Sequence, residues 1–554
     1  MSITIEGLSD ELTQAVRAGL SLQQYVDRDV TAAQVRRLFA TAPNEAHAAL
    51  EPYGYYNATA TGELRTTDKG FEAVLRVAAG DPVLVRSSSV RVDGEGAQQG
   101  AVERALGDFK PTEGEVLDHG VYESSKQAVE SALLSRGFMR LQLLTHRVEV
   151  TRAANTADID VLWDSGPRMK LGEVSFSDAQ FPQQFLERYI PWQRGDYYSP
   201  DELLRLQQRL TDADYFAAVI VQPDVEQAGD DLEIPVNVTL TPAKRTVYTA
   251  GAYVSTDSGP GVRAGMQRRW MNKRGHKFQA DADVAQRRTA LSLGYRIPLP
   301  GPDDRSFNFG YAHRDEQTTT SNSRNDRIAF NETRQWHGFT RTLGGVYLSG
   351  NFKVGSEAHY SNLLYAEGTL MRKQGAESFT PRRGWSAGLT VRAGSQGLLS
   401  DTDFTQVQLD GKYITTIAPR QRVLLRGTLG AMAVGDFNQL TPELRFFAGG
   451  DRSIRGFGYQ ELGSTNAQGD VIGGTYLAVG SAEYERFFSE KWGGAVFADG
   501  GDAFRSSGFS MNVGAGVGVR WRSPVGMVRL DVAKPVVSNL SDSLQFHISI
   551  GPDL

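Results

Sequence analysis

One arginine stands out for chemistry. Arg455 lies in Phe446-Phe447-Ala448-Gly449-Gly450-Asp451-Arg452-Ser453-Ile454-Arg455-Gly456-Phe457-Gly458-Tyr459, a stretch too apolar and too rich in glycine for an idle exposed loop. A guanidinium held among aromatic side chains needs a carboxylate, because an unpaired buried charge is costly. Two acids follow. Glu483 falls among the lumen-facing positions of the alternating stretch Thr475–Phe488, and Asp499, in Phe497-Ala498-Asp499-Gly500-Gly501, is expected at the end of a strand. These residue types support ion pairing rather than bond making. Without that context, Arg455 also reads as a solvated loop cation.

Signals for catalysis are missing. No P-loop, HExxH or GxSxG pattern occurs, the eight histidines lack metal-ligand spacing, and there is no cysteine. Disulfides, thiolate metal sites and cysteine nucleophiles are therefore excluded. Gly514-Ala515-Gly516-Val517-Gly518 imitates a phosphate loop only in composition. It lies in an alternating strand with no following helix, so inward glycines beside a packed loop account for it better. The reading is a protein without enzymatic activity or cofactor.

What must position Arg455 is a large sheet. The 554 residues are 40% hydrophobic and 22% charged, too apolar for a disordered chain. The net charge of −6 leaves no electrostatic footprint for nucleic acid. Fifty-nine glycines and 10% aromatic residues point to β structure. No run of about 18 apolar residues exists, so a transmembrane helix is excluded. Past Pro242 the chain is almost purely alternating. Val528, Leu530 and Val532 alternate with Met527, Arg529 and Asp531, and Leu544, Phe546, Ile548 and Ile550 alternate with Gln545, His547 and Ser549. About sixteen such segments, with no helices to cover them, would leave open edges in water, whereas a closed barrel with an apolar exterior suits an outer membrane. Short turns should alternate with long polar loops, Ser321–Arg327 being one and about 435–474 the longest. The loop with Arg455 then folds into the lumen. Such a barrel crosses the periplasm during export, so a signal peptide is expected to have preceded Met1.

The first half repeats. Leu50-Glu51-Pro52-Tyr53-Gly54-Tyr55-Tyr56, Leu133-Leu134-Ser135-Arg136-Gly137-Phe138-Met139 and Leu210-Thr211-Asp212-Ala213-Asp214-Tyr215-Phe216 each read as a helix end, a turn residue and a strand start. Ser199-Pro200-Asp201-Glu202 opens the best-formed helix as a capping box, with Leu203, Leu206 and Leu210 on one face. The units are expected at 1–80, 81–165 and 166–243, each strand–helix–helix–strand–strand, followed by a barrel over 244–554.

Here the sequence resembles the outer-membrane assembly and secretion family that includes BamA, TamA and the two-partner-secretion transporters. Those proteins carry periplasmic POTRA domains of this order before a sixteen-stranded barrel. Ile454-Arg455-Gly456-Phe457 is similar to their sixth-loop V-R-G-[FY] motif, with Ile454 a conservative departure. Phe497-Ala498-Asp499-Gly500-Gly501 matches their [FG]-x-D-x-G motif at Phe497, Asp499 and Gly501. Three soluble units and the ending Ile548–Leu554 look like the TamA-type branch. The resemblance implies that Arg455 contacts Asp499 and Glu483 inside the lumen. It implies unfolded outer-membrane protein clients, the lipid bilayer and a TamB-like, inner-membrane-anchored periplasmic protein as partners.

The seam is the remaining expectation. The first strand, with Tyr248 and Tyr253, should meet the last, with Ile548 and Ile550, over a short ladder. Gly551 adds no packing and Pro552 lacks an N–H donor. A seam that parts would expose an edge able to template an incoming strand; alternatively, Gly551-Pro552 merely ends the barrel. The resemblance favours assembly of β-barrel and autotransporter-type proteins. A polypeptide secretion pore and a bridge in phospholipid transport stay open.

Overall fold

Each soluble repeat passes from helix to strand through a left-handed residue. Gly54, Gly137 and Asp214 have φ of 88°, 93° and 59°, and their N–H groups donate to the carbonyls of Glu51, Leu134 and Thr211. The recurring punctuation is thus a helix stop that glycine adopts at no steric cost and aspartate tolerates. The structure is a computed structural model. It describes the chain apart from residues 27, 29, 68, 69, 256, 300–303, 376–379, 507, 524, 525, 539–542, 552 and 554.

In the first repeat, helices Asp10–Gly19 and Ala32–Leu50 accompany a sheet of order Ser2–Glu6, Gly70–Ala78, Thr59–Thr67. The first pair is parallel and the second antiparallel. The second repeat has the same plan. Thr156–Asp164 is central between Leu84–Asp93 (parallel) and Gln142–Thr151 (antiparallel), and Trp163, Phe138 and Leu133 fill its core. The third sheet runs Lys170–Ser177, Glu233–Pro242, Phe216–Pro223, with helix Pro200–Asp212 burying Leu203, Leu206 and Leu210 as the sequence pattern predicts.

Contacts group the chain into two compact units. One comprises Met1–Ser177, Ile190–Arg209 and Val219–Thr239. The other comprises Asp178–Tyr189, Leu210–Ala218 and Leu240–Leu554. Two segments of the third repeat therefore belong to the barrel's unit. Within it, Tyr215 donates its hydroxyl to the Gly275 carbonyl at 2.5 Å, and Phe181 stacks on Phe185 and meets Tyr215 and Trp270 edge-on.

The second unit holds sixteen antiparallel strands, from Thr246–Ser255 to Gln545–Gly551, each paired with the next. Large apolar side chains such as Phe309, Ile328, Leu429, Val517 and Leu530 face outward and exposed, as a lipid-facing barrel requires. Among the described residues, no helix is long and apolar enough to cross a membrane. The expected polar loop Ser321–Arg327 is instead the start of strand Ser321–Trp336. Its polar outward residues are tolerated because the neighbouring strands Ser306–Gln317 and Phe339–Val354 satisfy its backbone along its length. No ladder joins the first and last strands among the described residues; the sheet is nearly closed.

Between Val434 and Tyr476 the chain folds back on itself with a core of its own. Phe437, Leu440, Leu444, Phe446, Ile454, Phe457 and Leu462 bury against Val346, Leu348, Leu363, Tyr365 and Phe404 of the barrel wall. Burying this much apolar surface makes the segment a packed plug rather than a mobile loop.

Candidate functional site

The plug presents Arg455 to the wall, and strand alternation supplies its partners. On Tyr476–Phe487 the residues Glu483 and Glu485 point inward and are buried. Asp499 comes from Trp492–Phe504 and Asp531 from Gly526–Val537. Arg455 grips Asp499 with two parallel bonds, Nε to Oδ2 at 2.7 Å and Nη2 to Oδ1 at 2.9 Å, and its backbone N–H donates to the same carboxylate at 3.0 Å. Nη1 donates to Glu483 at 2.7 Å and to Asp531 at 2.9 Å. The Phe497 ring lies beneath the guanidinium, 3.4 Å from its central carbon to the ring centroid. Planar, two-pronged geometry of this kind is what arginine offers and lysine does not.

The network continues past the two acids that the sequence singled out. Arg520, fully buried, donates to Glu483 at 2.6 Å, Glu485 at 3.2 Å and Asp531 at 2.5 Å. Arg422 donates to Glu485 at 2.9 Å and to Asp553 at 2.8 Å, and Arg529 takes the other Asp553 oxygen. Asp553 is 1% exposed, so this carboxylate is buried with its two arginine partners. Charges this dry are held only because every one is paired.

The other motif residues have geometric reasons. Ile454 and Phe457 are buried in the plug's core. Gly456 has φ 95°, and a Cβ there would press on the Lys534 and Pro535 backbone. Its N–H donates to His547 Nε2 at 3.0 Å, while His547 Nδ1 meets Asp451 at 2.5 Å. The imidazole therefore carries its proton on Nδ1. Gly501 has φ 145° and lies against the Ala478 carbonyl, where a Cβ would collide. Gly514, Gly516 and Gly518 face the lumen: side chains there would strike the Arg455 carbonyl, Phe497 and Asp531.

At the seam, Tyr248 and Ile550 are exposed outward and Ile548 is half-buried. Tyr253 points inward and donates to Asp283 at 2.6 Å. Gly551 still pairs with Met527 on the penultimate strand, and Pro552 lies outside the described residues. The short first-to-last ladder expected from the sequence is not found among the described residues. A cavity of about 660 Å³ occupies that place, lined by Thr249, Tyr253, Asp257, Arg452, Tyr459 and Ser549. Asp257, in the turn after the first strand, is pushed up to about 6, first by burial and then by the Asp451 carboxylate.

Asp531, Arg520, Arg422, Glu485, Asp553 and His547 were not singled out in the sequence. Alternation marks most of them as lumen-facing, but which strands bring them together depends on the closed sheet.

A plug held by buried ion pairs inside a sixteen-stranded barrel, after α+β repeats, defines an outer-membrane barrel protein with periplasmic soluble domains. The sequence profile of the Omp85 superfamily domain matches residues 233–553, and the chain belongs to that superfamily. The profile described as POTRA domain TamA domain 1 matches residues 2–79, and a POTRA profile described as surface antigen variable number repeat matches residues 169–243. The outer membrane protein assembly factor BamA of Nitratidesulfovibrio vulgaris is 23% identical over 363 residues, 62% of this chain and 45% of that protein, so the match spans about half the length of this curated relative. The crystal structure of Haemophilus ducreyi BamA lacking POTRA domains 1–3 superposes with a TM-score of 0.70 at 16% identity, covering 85% of this chain and 99% of that one. Escherichia coli CdiB gives a TM-score of 0.49 at 13% identity over 99% of each chain.

Proposed function

We propose that this protein is a TamA-type assembly factor that inserts β-barrel and autotransporter-type proteins into the outer membrane through its first-to-last-strand seam. The observation that carries the reading is the unladdered seam, with Thr246–Ser255 and Gln545–Gly551 at the two ends of the sheet. An unpaired strand edge in lipid strongly favours capture of another strand. The resident plug, held by Arg455, Asp499 and Glu483, occupies the lumen and favours lateral insertion over passage through the pore. The TamA-type profile at residues 2–79 supports the same branch. No reaction is required of the protein: strand addition supplies the free energy. A TamB-like periplasmic partner belongs to this reading, with the soluble sheet edges as its docking places.

The test is insertion of an unfolded autotransporter barrel into liposomes containing the protein, followed by heat-modifiable mobility and protease protection. Acceleration over empty liposomes is expected. It should disappear when T249C and S549C, two positions lining the seam cavity, are crosslinked in this cysteine-free chain. Undiminished insertion by the locked barrel would sink the seam reading, and client released outside the vesicle would point to a secretion pore.

A further inference from the structure

The lipid face of the strand that holds Glu483 and Glu485 carries a second feature. Alternation sends Tyr484 and Arg486 outward from Tyr476–Phe487. On the next strand, Gly494 stands opposite Arg486 and Val496 opposite Tyr484. On the strand after that, Val517 stands opposite Val496. The missing side chain at Gly494 leaves a notch, and a Cβ there would meet nothing closer than the Gly518 carbonyl at 3.8 Å. The result is a cavity of about 840 Å³ lined by Arg420, Tyr484, Arg486, Gly494, Val496 and Val517. Its apolar floor opens to the bilayer.

Its mouth is cationic. Arg420 sits in the turn between strands Phe404–Ala418 and Gln421–Val434, and Arg486 is the last residue but one of its own strand, opposite Gln421. Both are exposed, and neither forms an ion pair among the described residues. The same rim carries the cross-strand pair Trp492 and Trp521, stacked at 5.7 Å and both exposed. Aromatic girdles sit at the headgroup level of a membrane, so the two guanidinium groups lie where phosphates lie. This is the turn side of the barrel, the end at which Thr246 follows the soluble domains, and hence the periplasmic leaflet.

We propose that Arg420, Arg486 and the Gly494 notch form a binding site for an anionic phospholipid of the periplasmic leaflet. The two guanidinium groups hold the headgroup phosphate, and one acyl chain lies over Gly494 between Tyr484, Val496 and Val517. Arginine recognises phosphate oxygens through paired N–H donors while its stem stays against apolar surface. The volume falls within the range of about 300–1,000 Å³ typical of small-molecule sites. The site lies back to back with the acids that hold the plug, on one strand.

Native mass spectrometry of the full chain, released from micelles of equal phosphatidylglycerol and phosphatidylethanolamine, tests this. The parent protein should retain phosphatidylglycerol preferentially. R420Q/R486Q should lower the bound anionic lipid about thirtyfold, the scale set by two cations at a lipid surface. The charge-matched control K273Q/R274Q, on another turn, should not. G494L fills the notch while keeping both cations and should also displace the lipid. Heat-modifiable mobility reports that each variant is folded. Equal retention by the double variant overturns the site, and unchanged retention by G494L overturns its acyl-chain half. Displacement by excess glycerol phosphate would mark a free-phosphate site instead and overturn the lipid assignment.

Discussion

The backbone N–H of Gly456 donates to Nε2 of His547 at 3.0 Å, so the plug's motif is tied directly to the last barrel strand. The seam strand, paired on one edge only among the described residues, is steadied from inside by the loop. Replacing His547 with phenylalanine keeps a ring there but orphans the Gly456 N–H and removes the ring's bond to Asp451. We expect a loss of about 1–3 kcal/mol from the unsatisfied groups, read as a lower urea midpoint, and faster hydrogen exchange confined to residues 545–551. Uniform exchange across the barrel would contradict this coupling.

Arg455 and Asp499 should be strongly coupled. Either Arg455→Ala or Asp499→Ala alone strips a buried charge of its two-pronged partner and should cost about 3–5 kcal/mol. The double variant should lose clearly less than the sum of the two. Arg455→Lys should not restore stability, because an ammonium cannot bond both Asp499 oxygens in one plane as the guanidinium does at 2.7 and 2.9 Å. Additive losses in a urea-denaturation cycle would show that the pair is not the anchor.

Asp553 is held in the lumen by Arg422 and Arg529. Asp553→Asn removes that charge while leaving the backbone unchanged. It should cost about 1–3 kcal/mol, read as a lower urea midpoint, and Arg422→Gln should act in the same direction. An unchanged midpoint would mean that other contacts hold this residue.

Asp257 gives the seam a pH dependence. Its carboxyl is raised from 3.8 to about 6, first by burial and then by Asp451, with Arg452 and His547 opposing. Between these values the folded form binds more protons than the unfolded one, so stability falls as pH rises through the window. Below about pH 4 both forms are protonated and the penalty vanishes; above about pH 6 it is complete and constant. Asp257→Asn should therefore match the parent at pH 4 and exceed its apparent melting temperature at pH 7. An Asn variant of lower stability at pH 7 would refute the sign.

Glycines on the two faces of the wall should differ in tolerance. Gly514 faces the plug, and a methyl there would collide with the Arg455 carbonyl; Gly480 faces outward with open space around its Cβ position. Gly514→Ala should cost about 1–3 kcal/mol by overpacking, while Gly480→Ala should be close to neutral. The contrast is read from paired urea midpoints of the folded barrel.

Much of this protein is written in periodicity. Period-two alternation after Pro242 specifies sixteen strands with an apolar and a polar face, because each inward residue is fixed by its neighbours. The helix stops at Gly54, Gly137 and Asp214 recur because a left-handed turn needs particular residue types. The plug is legible because aromatic residues flanking an arginine cannot rest in water. Alternation misleads at Ser321–Arg327, where polar residues face outward on a strand that its neighbour Phe339–Val354 matches in length. What the tertiary structure alone decides is who meets whom. Arg455 touches Asp499, Glu483 and Asp531 from three different strands, separated from it by 44, 28 and 76 residues. Asp553 lies 131 residues from Arg422. Lumen-facing charge is a local property of a strand, but pairing across the lumen depends on the curvature and stagger of the whole sheet. The cationic notch at Gly494 arises in the same way, from three strands in register.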